Sequence, residues 1–169
     1  MGVGRIGRIV CAILFLGSLG IYSLAFGEAS PLSLSQALSR VALFSDLTEM
    51  ERSRLTDAAF LRRGKAGEQI IHQGKARDRM FILLEGQAEV RVNGTHLTTI
   101  SGQALVGEIE FLDNLPASAD VILLEETDLI ELDYGALTRL MEANPRLGYV
   151  IMRGIAQIEA RRLRGSNPK

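Results

Sequence analysis

The sequence predicts an α+β domain: an antiparallel β-roll of jelly-roll type, with about eight strands, flanked by N- and C-terminal helices. Two observations predict this fold. From about residue 60 to residue 132 the apolar residues follow the two-residue period of strands, and glycines separate the short runs. Before and after this region the period is helical. A third observation, the uncharged run at residues 9–26, adds an N-terminal apolar helix outside the roll.

The N-terminal segment, residues 1–29, has the pattern of a signal peptide or a membrane anchor. Arg5 and Arg8 precede the uncharged run 9–26, whose helical length of ~1.5 Å per residue approaches the thickness of a bilayer core and favours an anchor. Small residues around Gly27 instead suit signal peptidase. Both alternatives stay open. Because the positive charges lie on the N-terminal side, we expect a bacterial inner-membrane protein facing the periplasm, or a periplasmic protein if the segment is cleaved.

The rest of the chain predicts one domain at residues 38–164, between a connector at 30–37 and a tail at 165–169. A short helix is expected at residues 34–40. The capping-box pattern from Thr48 to Glu51 predicts that a second helix begins there and runs to about Phe60.

Six strands can be assigned from the alternation. They lie at residues 69–73, 80–84, 88–92, 96–100, 119–124 and 128–132. Asn93–Gly94 is the residue pair that best tolerates the positive φ angles of a two-residue hairpin turn. Asp133 is a helix cap before residues 134–143, and a last helix is expected from Pro145 to about Leu163.

Three segments resemble the cyclic nucleotide-binding domain family over residues 38–163. They are residues 67–74 (GEQIIHQG), residues 78–86 (DRMFILLEG), and Gly107-Glu108-Ile109 followed by residues 116–119 (PASA). The third segment lies where the family has its phosphate-binding cassette, a short helix whose amides hold an anion. The resemblance implies a ligand site formed by Gly107, Glu108, Ile109, Ala117, Ser118 and Ala119.

The cassette departs from the family pattern at the phosphate. The resemblance implies that Glu108 accepts a hydrogen bond from the ribose, but Ala117 stands where the family has the arginine that pairs with the phosphate. Losing a charge-assisted contact of this kind costs about 1.5–3 kcal/mol. Glu110 replaces a small residue and adds a carboxylate near the anion, and Asp120 adds further negative character. The cassette is therefore interpreted as degenerate.

Three functions remain open from these residues. The first is a regulatory or sensor module that binds a small ligand, with cAMP and cGMP disfavoured. The second is a protein-interaction scaffold with a vestigial pocket. The third is retained cyclic nucleotide binding, in which Arg77, Arg79 or Arg91 replaces the missing charge.

The last helix carries an apolar stripe. Leu147, Ile151, Ile155 and Ile158 recur at helical spacing and form one face. In the family this helix forms a lid over the ligand and often a dimer seam. The stripe therefore predicts either packing on the roll, as a lid, or a contact with a second copy or another protein partner.

Composition and motifs disfavour other classes. A net charge of −1 gives no field that would recruit nucleic acid, and the basic run at residues 161–164 is interpreted as a solvated helix end. A single cysteine excludes a disulfide within the chain, and His72 and His96 each stand alone, so neither a metal nor a cofactor is expected. No motif pairs a nucleophile with a base, so we expect no enzyme.

Overall fold

The computed structural model describes residues 32–76 and 78–166, which belong to the compact unit Pro31–Lys169. The predicted signal peptide or anchor at residues 1–29 lies outside the described residues, and so does Arg77. Within the described ranges, no helix combines the length and apolar character needed to cross a membrane.

The described elements follow the predicted order of helices, strands and helices. The helices are α1 (Leu34–Arg40), α2 (Glu49–Arg54), α3 (Glu108–Asp113), α4 (Tyr134–Ala143) and α5 (Pro145–Ser166), with 3-10 turns at Ala42–Phe44 and Leu55–Asp57. The strands are β1 (Ala59–Gly64), β2 (Gln69–Ile71), β3 (Arg79–Leu83), β4 (Gln87–Val92), β5 (Thr95–Ser101), β6 (Ala104–Val106), β7 (Asp120–Leu123) and β8 (Thr127–Asp133).

The strands form two four-stranded antiparallel sheets. The first has the order β1-β8-β3-β6 and the second β2-β7-β4-β5, so all the neighbours except β4 and β5 come from distant parts of the sequence. This arrangement confirms the predicted β-roll. The hairpin between β4 and β5 also follows the prediction, because Asn93 and Gly94 have φ angles of 51° and 76°.

The structure differs from the sequence predictions at the helix after Thr48 and at β1 and β6, two strands that were not predicted. The helix expected to reach Phe60 ends at Arg54, and after one 3-10 turn the chain enters β1 at Ala59. Its backbone then pairs with β8 from Ala59 opposite Leu132 to Gly64 opposite Thr127, so long-range pairing overrides the local helical pattern. The capping box that begins α2 is present, with Glu51 N–H donating to Thr48 Oγ1 at 3.2 Å.

Two apolar clusters hold the domain together. The first lies between the helices and the first sheet, and it contains Leu147, Ile151 and Ile155 of α5, each at most 1% exposed. The helix stripe therefore packs on the core of its own chain, and Ile158 lies half-buried at its edge. The second cluster fills the inside of the roll with residues from both sheets, among them Phe81 and Leu123. The cassette helix α3 connects β6 to β7 at one side of this interior.

Candidate ligand-binding cavity

A cavity of about 200 Å³ lies inside the roll beside α3. It is smaller than the ~300–1,000 Å³ typical of drug-sized sites, so it has room only for a small molecule or part of one. Most of its wall is apolar, and its charged groups are Glu108, Glu110 and Arg162. The other lining residues are Ile71, Val90, Leu97, Thr98, Ile100, Val106, Gly107, Ile109, Ser118, Ala119 and Val121.

A larger groove of about 540 Å³ lies between the first 3-10 turn, the β5–β6 region and α5. It contains none of the residues of the predicted cassette, and Arg162 is a lining residue of both the groove and the cavity. We place the candidate site in the smaller cavity, because its apolar wall and convergent charged groups are the usual features of a ligand site.

Backbone geometry and one tyrosine fix the position of α3. Gly107 has a φ of 85°, and a Cβ there would lie 3.2 Å from both the Arg79 carbonyl oxygen and Met80 Cα, so a larger residue does not fit. The Tyr134 hydroxyl donates to the Gly107 carbonyl, and its ring packs on Phe111 with centroids 5.1 Å apart. The helix that carries both glutamates is thereby anchored to α4.

Glu108 is a buried carboxylate with one unsatisfied oxygen. Its side chain is 3% exposed, and Oε1 accepts a hydrogen bond from the Arg162 guanidinium of α5. Oε2 has no hydrogen-bond partner among the described residues. Burial raises the pKa of Glu108 to about 7, although the charge of Arg162 acts in the opposite direction. This carboxyl group is therefore poised to change charge near neutral pH and to accept a donor from a ligand.

Arg162 links α5 to the cavity. Besides Glu108, its guanidinium donates to the Leu105 carbonyl at 2.5 Å and to Glu159 Oε1 at 2.8 Å. The side chain thus ties the end of the last helix to β6 and to the start of α3.

Glu110 turns back onto the segment that follows the cassette helix. The residue is 6% exposed, and Oε1 accepts from the Ser118 N–H at 2.9 Å and from the Ser118 hydroxyl at 3.4 Å. A carboxylate of the chain itself therefore binds the amide next to position 117. Charge-assisted bonds of this kind are about twice as strong as neutral ones.

Five of the six predicted ligand residues line the cavity, and Ala117 does not. Ala117 is 3% exposed and packs in the second apolar cluster, and its N–H donates to the Lys75 carbonyl at 3.0 Å. Asp120 is likewise not a lining residue. Its Oδ1 accepts from Gln69 Nε2 and from the Gln73 N–H, both at 2.7 Å. Its carboxylate therefore binds groups of β2 and of the loop after β2.

Among the described residues, the cation that lines the cavity is Arg162 rather than Arg79 or Arg91, and Arg77 lies outside the described residues. Arg79 pairs with Glu131 at 2.8 Å and Arg91 pairs with Glu89 at 2.7 Å, whereas Arg162 comes from the run interpreted as a solvated helix end. Arg162 is 39% exposed, so it is partly solvated as interpreted, but the interpretation did not include its pairing with the buried Glu108. The sequence did contain a signal, because Arg162 continues the spacing of the apolar stripe one turn beyond Ile158 and so lies on the side of α5 that faces the roll.

The histidines add no metal centre to this description. His96 Nδ1 lies 2.9 Å from Glu89 Oε1 at the exposed edge of the second sheet. Across the part of the chain that the structure describes, no group of three or more His, Cys, Asp or Glu side chains could hold a metal ion.

The match to known proteins agrees with this geometry. Residues 61–144 match the sequence model of the family described as Cyclic nucleotide-binding domain. These residues belong to the cyclic nucleotide-binding domain family. The resemblance found in the cassette and in the two glycine-bounded segments is thereby confirmed, and so is the fold that it implies.

Similar proteins include regulatory subunits of kinases. The chain is 32% identical over 88 residues to a cAMP-dependent protein kinase type II regulatory subunit from Drosophila melanogaster, which covers 52% of this chain and 23% of the relative. The chain thus spans about a quarter of that protein.

Solved structures show the same fold. A cyclic nucleotide-binding domain from Methylobacillus flagellatus is 24% identical with a TM-score of 0.68, covering 78% of this chain and 76% of that one. The regulatory subunit of a cAMP-independent protein kinase A from Trypanosoma brucei is 26% identical with a TM-score of 0.56, covering 66% of this chain and 43% of that one.

Proposed function

We propose that this domain is a non-catalytic regulatory module that responds to a small ligand in the cavity, and that it does not bind cAMP or cGMP through the family's usual phosphate contact. The observation that carries the proposal is the hydrogen bond from the Ser118 N–H to the Glu110 carboxylate. It places a negative charge of the protein beside position 117, where the family pairs a cation with the phosphate.

The electrostatics of the cavity oppose an anionic ligand. Glu108 and Glu110 both line it, and its one cation among the described residues, Arg162, is already bound to Glu108. An anionic ligand and a carboxylate of this wall would be like charges a few ångström apart. In a partly buried site they repel strongly, because the effective dielectric constant there is well below that of water.

A sensing role fits the described residues better than a scaffold with a vestigial pocket. The cavity remains open at about 200 Å³, and the apolar stripe of α5 is buried in its own chain rather than presented to a partner. A ligand could act on α5 through the Arg162–Glu108 hydrogen bond. A group that binds Glu108 would change this bond, and the bond holds the end of α5 in place.

The proposal is tested by calorimetric titration of cAMP and cGMP into the full-length wild type, Glu110→Ala and the double variant Ala117→Arg, Glu110→Ala. For the wild type we expect no binding of cAMP or cGMP with a dissociation constant below about 100 µM. We expect at least about tenfold tighter binding by the double variant, because one restored charge-assisted contact corresponds to roughly one to two decades of affinity.

The single Glu110→Ala variant guards against a folding failure. Ala117 packs in the second apolar cluster, so an arginine there has to turn toward the cavity, and thermal unfolding must show that the double variant folds. Glu110→Ala keeps Ala117 and frees the Ser118 amide, so it should also gain affinity for cAMP. Micromolar binding of cAMP by the wild type would contradict the proposal.

For the N-terminal segment we propose a membrane anchor or signal peptide that places the domain on the periplasmic side of a bacterial inner membrane. The uncharged run 9–26 behind Arg5 and Arg8 supports this location. Fractionation and protease accessibility of the full-length protein in spheroplasts test it. Recovery of the intact chain in the cytosol would contradict it.

A further inference from the structure

We propose that the groove between the first 3-10 turn, the β5–β6 region and α5 is a second binding site. Its ligand is an elongated apolar molecule that carries one carboxylate, and this carboxylate pairs with Arg161. The groove contains none of the residues of the predicted cassette. The inference therefore goes beyond the proposed function and does not depend on the ligand of the smaller cavity.

The groove has the size of a small-molecule site. Its volume of about 540 Å³ lies within the ~300–1,000 Å³ typical of sites for drug-sized ligands. Along α5 its lining residues extend from Val150 to beyond Arg161. At ~1.5 Å per helical residue, this stretch of the helix is roughly 16 Å long. A ligand that fills the groove is therefore elongated.

Much of the groove is lined by apolar side chains. Ile82 and Leu105 are buried lining residues, at most 4% exposed, and Leu43, Val150 and Ile158 are half-buried. An apolar ligand would cover the part of these side chains that still contacts water, and removal of apolar surface from water favours binding. The body of the ligand is therefore apolar.

Two contacts hold the walls of the groove in place. The Gln103 amide bridges the β5–β6 region and the first 3-10 turn, because its Oε1 accepts from the Ala42 N–H at 2.9 Å and its Nε2 donates to the Arg40 carbonyl at 2.6 Å. The same turn lies directly on α5, since a Cβ at Gly154 would collide with Leu43 Cδ1. The groove is thus formed by the chain itself, and a preformed site needs little reordering on binding.

The charges that line the groove leave one arginine available. Arg153 pairs with Asp46 at 3.8 Å, and Arg162 is paired with two glutamates. Arg161 also lines the groove, and it has no ion-pair partner among the described residues. A guanidinium group presents N–H donors in a geometry that matches a carboxylate. One anionic group at this end of the groove would pair with Arg161, whereas an amine would be repelled by it.

Three probes with the same elongated body and different charge test the inference. Biphenyl-4-carboxylate is anionic, 4-biphenylmethanol is neutral and 4-biphenylmethylamine is cationic at pH 7. Each is titrated into the full-length wild type by calorimetry. We expect the carboxylate to bind at least about tenfold tighter than the other two, because one charge-assisted pair contributes roughly a decade of affinity or more. Equal or tighter binding of the alcohol or the amine would overturn the inference. So would a dissociation constant of the carboxylate above about 1 mM.

A matched pair of variants identifies the arginine. Arg161→Gln should weaken binding of the carboxylate about tenfold and leave the alcohol unchanged. Arg164→Gln is the control, because Arg164 is exposed at the same helix end and does not line the groove. It should leave all three affinities unchanged. Equal losses from the two variants would show only a general attraction of anions to the end of α5, which overturns the pairing with Arg161.

A third variant tests whether the probe lies in the groove. Ala42 is exposed and lines the groove, so the ring in Ala42→Phe takes up ligand space without entering the core. We expect at least about tenfold weaker binding of the carboxylate, with thermal unfolding as the check of folding. Undiminished binding by the folded variant would overturn the inference. If Ala42→Phe does not fold, the comparison of Arg161→Gln with Arg164→Gln decides.

The proposed function can fail separately from this inference. It is decided by titration of cAMP into Glu110→Ala and into the Ala117→Arg, Glu110→Ala variant, and neither position lines the groove. Glu110→Ala should therefore bind biphenyl-4-carboxylate as the wild type does. A large change in that affinity would place the probe in the smaller cavity and overturn the second site.

Discussion

Two of the domain's three buried glutamates lie in very different surroundings among the described residues. Glu131 of β8 has a side chain 9% exposed, and its two oxygens are held by Arg62 and by Arg79. Glu108 of α3 is more deeply buried, at 3%, but only one of its oxygens is paired. One carboxylate is fully compensated by side chains of its own sheet, whereas the other is half compensated, and by a residue that comes from the last helix.

The difference separates a structural group from a candidate ligand-binding group. The pair around Glu131 joins β1, β3 and β8 through contacts between neighbouring strands, so any change there acts on the fold. Glu108 faces a cavity and keeps an unused acceptor, and burial holds its pKa at about 7. An unsatisfied, titratable group in a cavity is the usual sign of a binding site.

The largest effect on stability at a fixed pH of 7 is expected at the compensated site. Glu131→Gln leaves Arg62 and Arg79 without their shared anion, and we expect the free energy of unfolding to fall by about 2 kcal/mol. The value lies below that of a fully buried pair because the two arginine side chains are 33% and 46% exposed. Urea denaturation at pH 7 measures it.

A matched control for this variant is Glu126→Gln. Glu126 pairs with Arg63 at 2.8 Å, but both side chains are more than 60% exposed. Exposed pairs contribute about 0–1 kcal/mol, so this variant should change little. Equal losses in the free energy of unfolding from Glu126→Gln and Glu131→Gln would show that the buried pair contributes no more to stability than the exposed pair.

The half-paired carboxyl group of Glu108 should be detectable in the pH dependence of stability. The pKa of Glu108 is raised from 4.5 to about 7 in the folded state, so the folded protein binds more protons than the unfolded chain between these values. The stability of the wild type should therefore decrease as the pH rises from 4.5 to 7. In Glu108→Gln this decrease is lost, and we expect a difference of roughly 1–3 kcal/mol between pH 5 and pH 8.

Three carboxylates with lowered pKa values do not interfere in this window. The pKa of Glu51 is lowered to about 2, chiefly by its hydrogen bond with Arg146, and the pKa values of Glu68 and Glu89 are lowered as well. The stability that these three contribute is present above about pH 4.5 and is lost at lower pH. Identical pH profiles for the wild type and Glu108→Gln would contradict the assignment of a raised pKa to Glu108.

Much of the roll was predictable because each strand leaves its pattern in the sequence. The alternation from residue 69 onward and the Asn93–Gly94 turn specify β2 to β5 locally, and β7 and β8 follow the same period. β1 and β6 were missed. β1 follows a helical turn directly and exists because it pairs with β8, and β6 has only three residues. Neither has a local signal strong enough to stand alone.

The residues of the candidate site that belong to a local motif could be predicted from the sequence. The contacts that depend on the folded chain could not. Glu108 and Ser118 were found through the cassette. The bond between Glu110 and Ser118 depends on the turn after α3, where Asn114 adopts a φ of 62°, and no pattern shows it in advance. Arg162 is 54 residues from Glu108, so only the helix phase of α5 indicated that it faces the roll.

The smallest expected effect on stability concerns Arg162 itself. Because this side chain is 39% exposed, Arg162→Ala should lower the free energy of unfolding by no more than about 1 kcal/mol at pH 6. The charge of Arg162 lowers the pKa of Glu108 against burial, so removing it should move that pKa further upward. Carbon-detected NMR titration of the glutamate carboxyls measures the change, with Arg161→Ala on the same turn as the control. If the pKa of Glu108 is the same in Arg162→Ala as in the wild type, the charge of Glu108 is not coupled to α5. The proposal that a ligand acts on α5 through Arg162 would then be contradicted.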